Sequence, residues 1–129
     1  MVLFLFDECI APQIPRALNI VTYQAHAVED VRALGRGADD QQVVEWCKDE
    51  RAVLVTADLR MRRPSGYRDL IRRTGVSVAF FKPRKGGWSL KEWFREVVRQ
   101  TGHLEEKFSG RRPVYWQYST GGRKRRITL

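Results

Sequence analysis

With 129 residues, 43% hydrophobic and 30% charged, the chain has the make-up of one ordinary globular domain, too short for two sizeable cores. No apolar stretch approaches the roughly 20 residues that span a bilayer, so a membrane role is not expected. The net charge of +9 is uneven: residues 1–50 sum to −5 and residues 51–129 to +14. An acidic region followed by a basic half fits a metal site beside a phosphate-binding surface. A solvated basic face, or a surface that docks an acidic protein, would give the same balance.

In chain order, Val2 to Phe6 is a continuous apolar run, as expected of a strand buried on both faces of a parallel sheet. The start lacks the basic region and cleavage site of a signal peptide. With only Cys9 and Cys47, both expected reduced, a cytoplasmic location follows as an expectation. Ala11 to Leu18 reads as a short helix with Pro12 near its start and Asn19 at its end. Ile20 to Tyr23 reads as a second strand, and Val28 to Leu34 as another helix closed by Gly35 and Gly37. Asp39 or Asp40 caps a better helix, Gln41 to Glu50, with Val43, Val44, Trp46 and Cys47 inward.

Ala52 to Thr56 is a third strand and Pro64-Ser65-Gly66 a break. Tyr67 to Thr74 is a helix ended by Gly75, and Val76 to Phe81 a fourth strand. A basic loop, Lys82 to Gly87, leads to a capping box over Ser89 to Glu92. The helix after it carries Leu90, Trp93, Phe94, Val97 and Val98 on one apolar face, for the core or a dimer contact. Pro113 to Ser119 reads as a strand, Thr120 to Gly122 as a turn, and Arg123 to Leu129 as a basic strand or tail. Alternating strands and helices predict an α/β sheet with helices on both faces.

The acids stand at strand ends and a helix start, where such a fold gathers polar groups into a crevice. Asp7 closes the first strand, Asp40 opens the central helix, and Asp58 follows the third strand. Gathered carboxylates raise one another's pKa and cost stability. A divalent cation such as Mg²⁺ is the usual compensation. Singly, each acid has a structural explanation: Asp40 or Asp39 as helix cap, Asp58 as turn residue, Glu29 and Asp30 as surface charges. Together they favour a metal site.

The segments around these acids resemble the PIN-like ribonucleases, in the small branch that includes VapC-type toxins of toxin–antitoxin pairs. The resemblance lies in Leu5 to Pro12, in Gly37 to Val44, in Val53 to Asp58, and in Thr74 to Val76 leading into Ala79 to Phe81. It implies a PIN-like three-layer α/β/α fold with a central, mainly parallel sheet. The core would take about residues 1–101 and a basic strand or tail residues 102–129. It further implies metal ligands at Asp7, Asp40 and Asp58, a fourth acid at Glu8, and orienting roles for Thr56 and Asp39. The implied activity is an Mg²⁺- or Mn²⁺-dependent endoribonuclease leaving 5′-phosphate and 3′-hydroxyl ends. The implied partners are an RNA substrate, a cognate antitoxin and a second copy in a homodimer. The family usually has Asn where this chain has Cys9. It often has an acid two residues after the Thr-x-Asp aspartate, where this chain has Arg60.

Hard cations of this kind prefer oxygen ligands. Arg60, Arg62 and Arg63 follow Asp58 directly and are placed to grip flanking phosphates. Lys82, Arg84 and Lys85 extend that track, as Arg123 to Arg126 do. Trp88, Tyr115, Trp116 and Tyr118 are either core or base-stacking rings. His26 and His103 are read as structural.

Two other classes fit less well. A response-regulator receiver needs two further βα units between Asp58 and Lys82, and residues 59–81 hold too few for that. A catalytically inactive PIN-like module that binds RNA or protein is the stronger alternative.

Overall fold

The computed structural model describes every residue except Met1, Thr22, Ser65 and Arg112. Strand β1 (Leu3–Phe6) turns Phe4 and Phe6 to one face of a sheet and Leu3 and Leu5 to the other. Apolar side chains on both faces demand cover on both. Strands β2 (Gln24–Ala27), β3 (Val53–Thr56), β4 (Val78–Lys82), β5 (Tyr115–Ser119) and β6 (Arg123–Ile127) complete a sheet ordered β2-β1-β3-β4-β5-β6. β1 to β5 run parallel and β6 returns antiparallel on the edge. The return is a tight turn in which Gly121 and Gly122 take φ of 80° and 79°, a left-handed backbone that favours glycine.

Helices α1 (Gln13–Ile20) and α4 (Leu90–Lys107) cover the face of Phe4, Phe6, Val55, Phe81 and Tyr118. Helices α2 (Asp40–Glu50) and α3 (Arg68–Thr74) cover the face of Leu5, Leu54, Val78 and Phe80. The result is the expected three-layer α/β/α arrangement. The capping box predicted at Ser89 is present, closed by Glu92. No helix among the described residues is long and apolar enough to cross a membrane.

Four features differ from the sequence reading. The expected helix over Ala11 to Leu18 begins two residues later and runs on through Asn19 to Ile20. The expected strand Ile20 to Tyr23 is not formed by its described residues, and Thr22 lies outside them, as does Ser65 of the expected break. Ile20 and Val21 are exposed, and the strand is the less apolar Gln24–Ala27. Asn19 decides this: its side-chain amide donates to the Ala25 carbonyl and its carbonyl accepts the Ala25 N–H at 3.1 Å. On an edge strand only Ala25 and Ala27 must be apolar, so half the expected signal is missing. Val28 to Leu34 forms only a 3₁₀ turn, Val28–Asp30, and the chain then turns again. On α4 the apolar residues split: Val97 is buried and Trp93 packs on the core, while Leu90, Phe94 and Val98 face outward.

Strand order places the crevice. β1 connects forward to β2 on one side, while β3 and β4 lie on the other. The connections therefore part at β1, and a cleft opens outside the carboxyl ends of β1 and β3.

Candidate active site

Asp7 is the first residue past β1, and its N–H still donates to Val55 O of β3 at 2.9 Å. Thr56 ends β3 and is wholly buried. Its hydroxyl donates to Asp7 Oδ2 at 2.9 Å and accepts the Asp58 N–H at 3.0 Å. One hydroxyl thus joins two acids 51 residues apart in sequence. The Glu8 N–H donates to Asp7 Oδ1 at 2.9 Å. Both carboxylate oxygens of Asp7 are therefore oriented, and the residue is only 7% exposed.

Asp39 and Asp40 divide the work that the sequence left shared between them. Asp39 is the N-cap of α2: its carboxylate accepts from Gln42 N at 2.8 Å, and the Gln42 side chain accepts from Asp39 N at 3.0 Å. That frees Asp40, in the first turn, to face the crevice. It lines a cavity of about 280 Å³ with Asp58, Arg60, Met61, Arg63, Gly66 and Tyr67. Glu8 accepts from Gly37 N and ties the segment before α2 to the end of β1.

The electrostatics are those of an acidic site compensated at Asp58 alone. Burial raises the Asp7 pKa, and the charges of Asp58 and Glu8 raise it further against its hydrogen bonds. Burial also raises Asp40, followed by repulsion from Asp7 and Asp58. Asp58 is lowered, chiefly by its hydrogen bonds from the Arg60 side chain. Arg60 binds it in a fork, Nε to Oδ1 and Nη2 to Oδ2, both at 2.8 Å. Arg60 itself is 78% exposed. Among the described residues, no group of three or more His, Cys, Asp or Glu is already gathered closely enough to hold a metal ion. Asp58 gives both oxygens to Arg60 instead.

The donor chemistry nevertheless suits a hard divalent cation. Asp7, Asp40 and Asp58 offer oxygen only. The thiol nearby, on Cys9, keeps its proton: desolvation of its sulfur and then Asp7 push its pKa up. Cys9 bridges the two strand ends, with Sγ accepting from Ala57 N at 3.2 Å and lying 3.5 Å from Thr56 Oγ1. Cys47, by contrast, is simply core.

The basic residues named from the sequence do not form one track. Arg60 and Arg63 line the carboxylate cavity. Arg62 turns away, donating Nη1 to Gln117 Oε1 at 2.5 Å with its guanidinium 5.8 Å from the Phe80 ring centre. Lys82 is exposed at the end of β4 and Lys85 in the loop beyond. Arg84 is paired with Glu92 on α4, so it anchors that loop. Tyr118 and Trp88 are core, and Tyr115 and Trp116 pack against the two cores. His103 shares a hydrogen bond with the Tyr118 hydroxyl at 2.9 Å.

Sequence reasoning missed two residues. Gly66 packs its Cα against the Arg60 backbone carbonyl, where any Cβ would collide. It lines the cavity with Arg63 and Tyr67, and the only sequence signal was a glycine after Pro64. Arg68, at the start of α3, carries a side-chain Nε that is buried without an acceptor among the described residues. Nothing local marks it. A larger cleft, of about 580 Å³, lies at the opposite edge of the sheet beside Cys47, Lys48, Arg51 and Arg111. It gathers no acids, so its size does not make it the site.

A family model described as a PIN like domain matches residues 1–83. That stretch spans β1 to β4 and contains Asp7, Asp40, Thr56 and Asp58. No curated protein and no solved structure matches the chain. The doubly covered parallel sheet, the acids at its switch point and the match over nearly two thirds of the sequence agree: the chain belongs to the PIN-like domain family.

Proposed function

We propose that the protein is an Mg²⁺- or Mn²⁺-dependent endoribonuclease with Asp7, Asp40 and Asp58 as the metal ligands. PIN-like domains are often nucleases. The observation that carries the reading is the convergence of Asp7 and Asp40 with Asp58 at one crevice, where burial and then neighbouring carboxylate charge raise the pKa of Asp7 and of Asp40. A fold keeps such repulsion where a cation offsets it.

A divalent ion bound there would supply the charge that activates water and stabilises the leaving oxygen of a phosphodiester. The chain's own residues do the rest. Thr56 and the Glu8 N–H hold the Asp7 carboxylate in one orientation. The Asp39 cap fixes the start of α2 and with it Asp40. Arg60 must release Asp58 for that acid to act as a ligand, and its freed guanidinium then stands at the cavity rim to pair with a substrate phosphate. Arg63 lines the same cavity from the far side. Glu8 tethers the segment before α2 rather than entering the carboxylate cavity, so its part is to position Asp40.

The toxin role, with a cognate antitoxin, a homodimer and a cytoplasmic location, belongs to the same proposal and rests on the sequence resemblance. Induced expression tests it: unimpaired growth with intact, soluble protein removes the toxin reading. A second reading has its own observation. Asp58 already has a bidentate cation in Arg60, which favours a PIN-like module that binds RNA without cutting it.

The deciding experiment is cleavage of total RNA with Mg²⁺, Mn²⁺ or EDTA, by wild type and Asp58→Asn. Metal-dependent cutting lost in a folded variant supports the nuclease. RNA binding without cutting by the wild type in either metal supports the binding module.

A further inference from the structure

Beside the carboxylate cavity lies a second cleft, of about 350 Å³, lined by Leu59, Arg62, Arg63, Pro64, Arg68 and the chain end at Thr128 and Leu129. Arg63 lines both, so the two clefts share a wall. Three guanidinium groups surround the second one, and among the described ion pairs none of them meets a carboxylate. Like charges crowd here: burial and the neighbouring Arg125 lower the Arg62 pKa. Arg62 is nonetheless held still, by buried Gln117 and by the Phe80 ring. Arg68 adds the second, independent observation, a buried Nε–H with no acceptor among the described residues. Buried donors are almost always satisfied. A fixed arginine fork, a second arginine with an orphaned donor and a third shared with the acids together ask for a multivalent oxyanion.

We infer that the Arg62–Arg63–Arg68 cleft is a phosphate subsite that grips the backbone of single-stranded RNA flanking the bond presented to the acids. The inference rests on the nuclease reading for the identity of the strand. The cations of β6, Arg123 to Arg126, lie on the strand that leads into Thr128 and Leu129 of the cleft wall. Edge-strand cations also guard against sheet-to-sheet pairing, and that role accounts for the outer residues of β6. It does not account for Arg68, which sits on α3 and is half-buried.

The test is binding of a fluorescein-labelled twelve-residue oligouridine to the full chain in EDTA, over a series of salt concentrations. Arg68→Gln is compared with wild type and with Arg73→Gln, an exposed control on the same helix. The subsite predicts about tenfold weaker binding for Arg68→Gln and a salt slope shallower by about 0.7, the loss of one phosphate contact. Arg73→Gln keeps wild-type affinity. Equal affinity and slope for Arg68→Gln and wild type overturn the inference.

Should Arg68→Gln fail to fold, the wild-type Arg68 Nε–Hε resonance decides, assigned through Arg68→Lys. It shifts on adding the oligouridine if the subsite is real, and an unmoved resonance overturns it. Oligothymidine of equal length binding with the same Arg68 dependence identifies a backbone phosphate site that accepts either sugar. A response to inorganic phosphate alone, with oligonucleotide binding unchanged, overturns the strand-binding claim. Wild-type cleavage is measured alongside. No cleavage in any metal, with RNA binding lost in Arg68→Gln, retires the nuclease reading and leaves the cleft. Cleavage with unaltered Arg68→Gln binding does the reverse.

Discussion

The two edges of the sheet are built on opposite terms. The amino edge carries the larger cleft, but its polar groups are there to end helices and start strands. Arg51 closes α2 with its N–H on the carbonyls of Cys47 and Lys48, and Gly75 closes α3. The carboxyl edge has the smaller cavity and the unresolved electrostatics: two acids raised by burial and neighbouring carboxylates, one held by an exposed arginine, and three arginines that enter none of the described ion pairs. The difference teaches that the site is marked by unfavourable charge placement, not by volume. At the amino edge Arg51 and Gly75 serve the fold by closing helices. At the carboxyl edge the fold carries groups that would be better replaced if stability were all that mattered.

That contrast breaks most visibly at Asp40. Asp40→Asn should lower metal-dependent RNA cleavage by on the order of 100-fold or more, while urea unfolding at pH 7 shows stability kept or raised. A variant as active as wild type would make the two edges equivalent.

Next is Thr56→Val, which leaves an Asp7 oxygen and the Asp58 N–H without their partner. Denaturant titration should show a loss of about 1–3 kcal/mol, together with a fall in cleavage. A loss of stability alone would return Thr56 to a purely structural role.

The pH dependence sharpens the comparison further. Asp7 and Asp40 bind protons more tightly folded than unfolded, so they destabilise the fold above their raised pKa values. That cost fades as pH falls from the raised values through the ordinary carboxylate value of 3.8, below which both states are protonated. Asp58 acts oppositely: its lowered pKa contributes stability above 3.8 that is lost as pH falls through the folded value. Asp7→Asn should therefore raise the melting temperature at pH 7, with a smaller gain at pH 4. An equal gain at both would show that charge is not the cause.

The smallest effect belongs to the amino edge. Arg51 is the one described non-glycine residue at positive φ, 55°. Arg51→Gly should relieve a left-handed backbone and stabilise the fold by about 1 kcal/mol, with no change in cleavage. Lost cleavage would bring that cleft into the function.

The amino-acid order determined what depends on neighbours a few residues apart. Continuous apolar runs marked β1, β3 and β4, because a strand buried on both faces has no polar side to show. The Ser89–Glu92 box and Gly75 marked helix ends through local hydrogen bonds. Asp7 and Glu8 stood out because acids directly after a buried strand are less routinely structural, and Asp58 stood out only in combination with them. The same local signals failed at β2, where Asn19 reaches across to Ala25 and an edge strand needs only one apolar face. They could not choose between Asp39 and Asp40, which differ by one helical step and face different ways.

Tertiary structure alone decided the rest. Thr56 joining Asp7 to Asp58, Cys9 spanning two strand ends, Gly66 lying on the Arg60 carbonyl and Arg68 lining one cleft with Arg62 depend on side chains brought together by the strand order. Charge balance predicted that acids and cations would segregate. Which cation locks an acid and which are left without one is a matter of ångströms between separate elements. Periodicity along a chain has no access to those distances, because each is set by the packing of helices on a sheet that no single segment encodes.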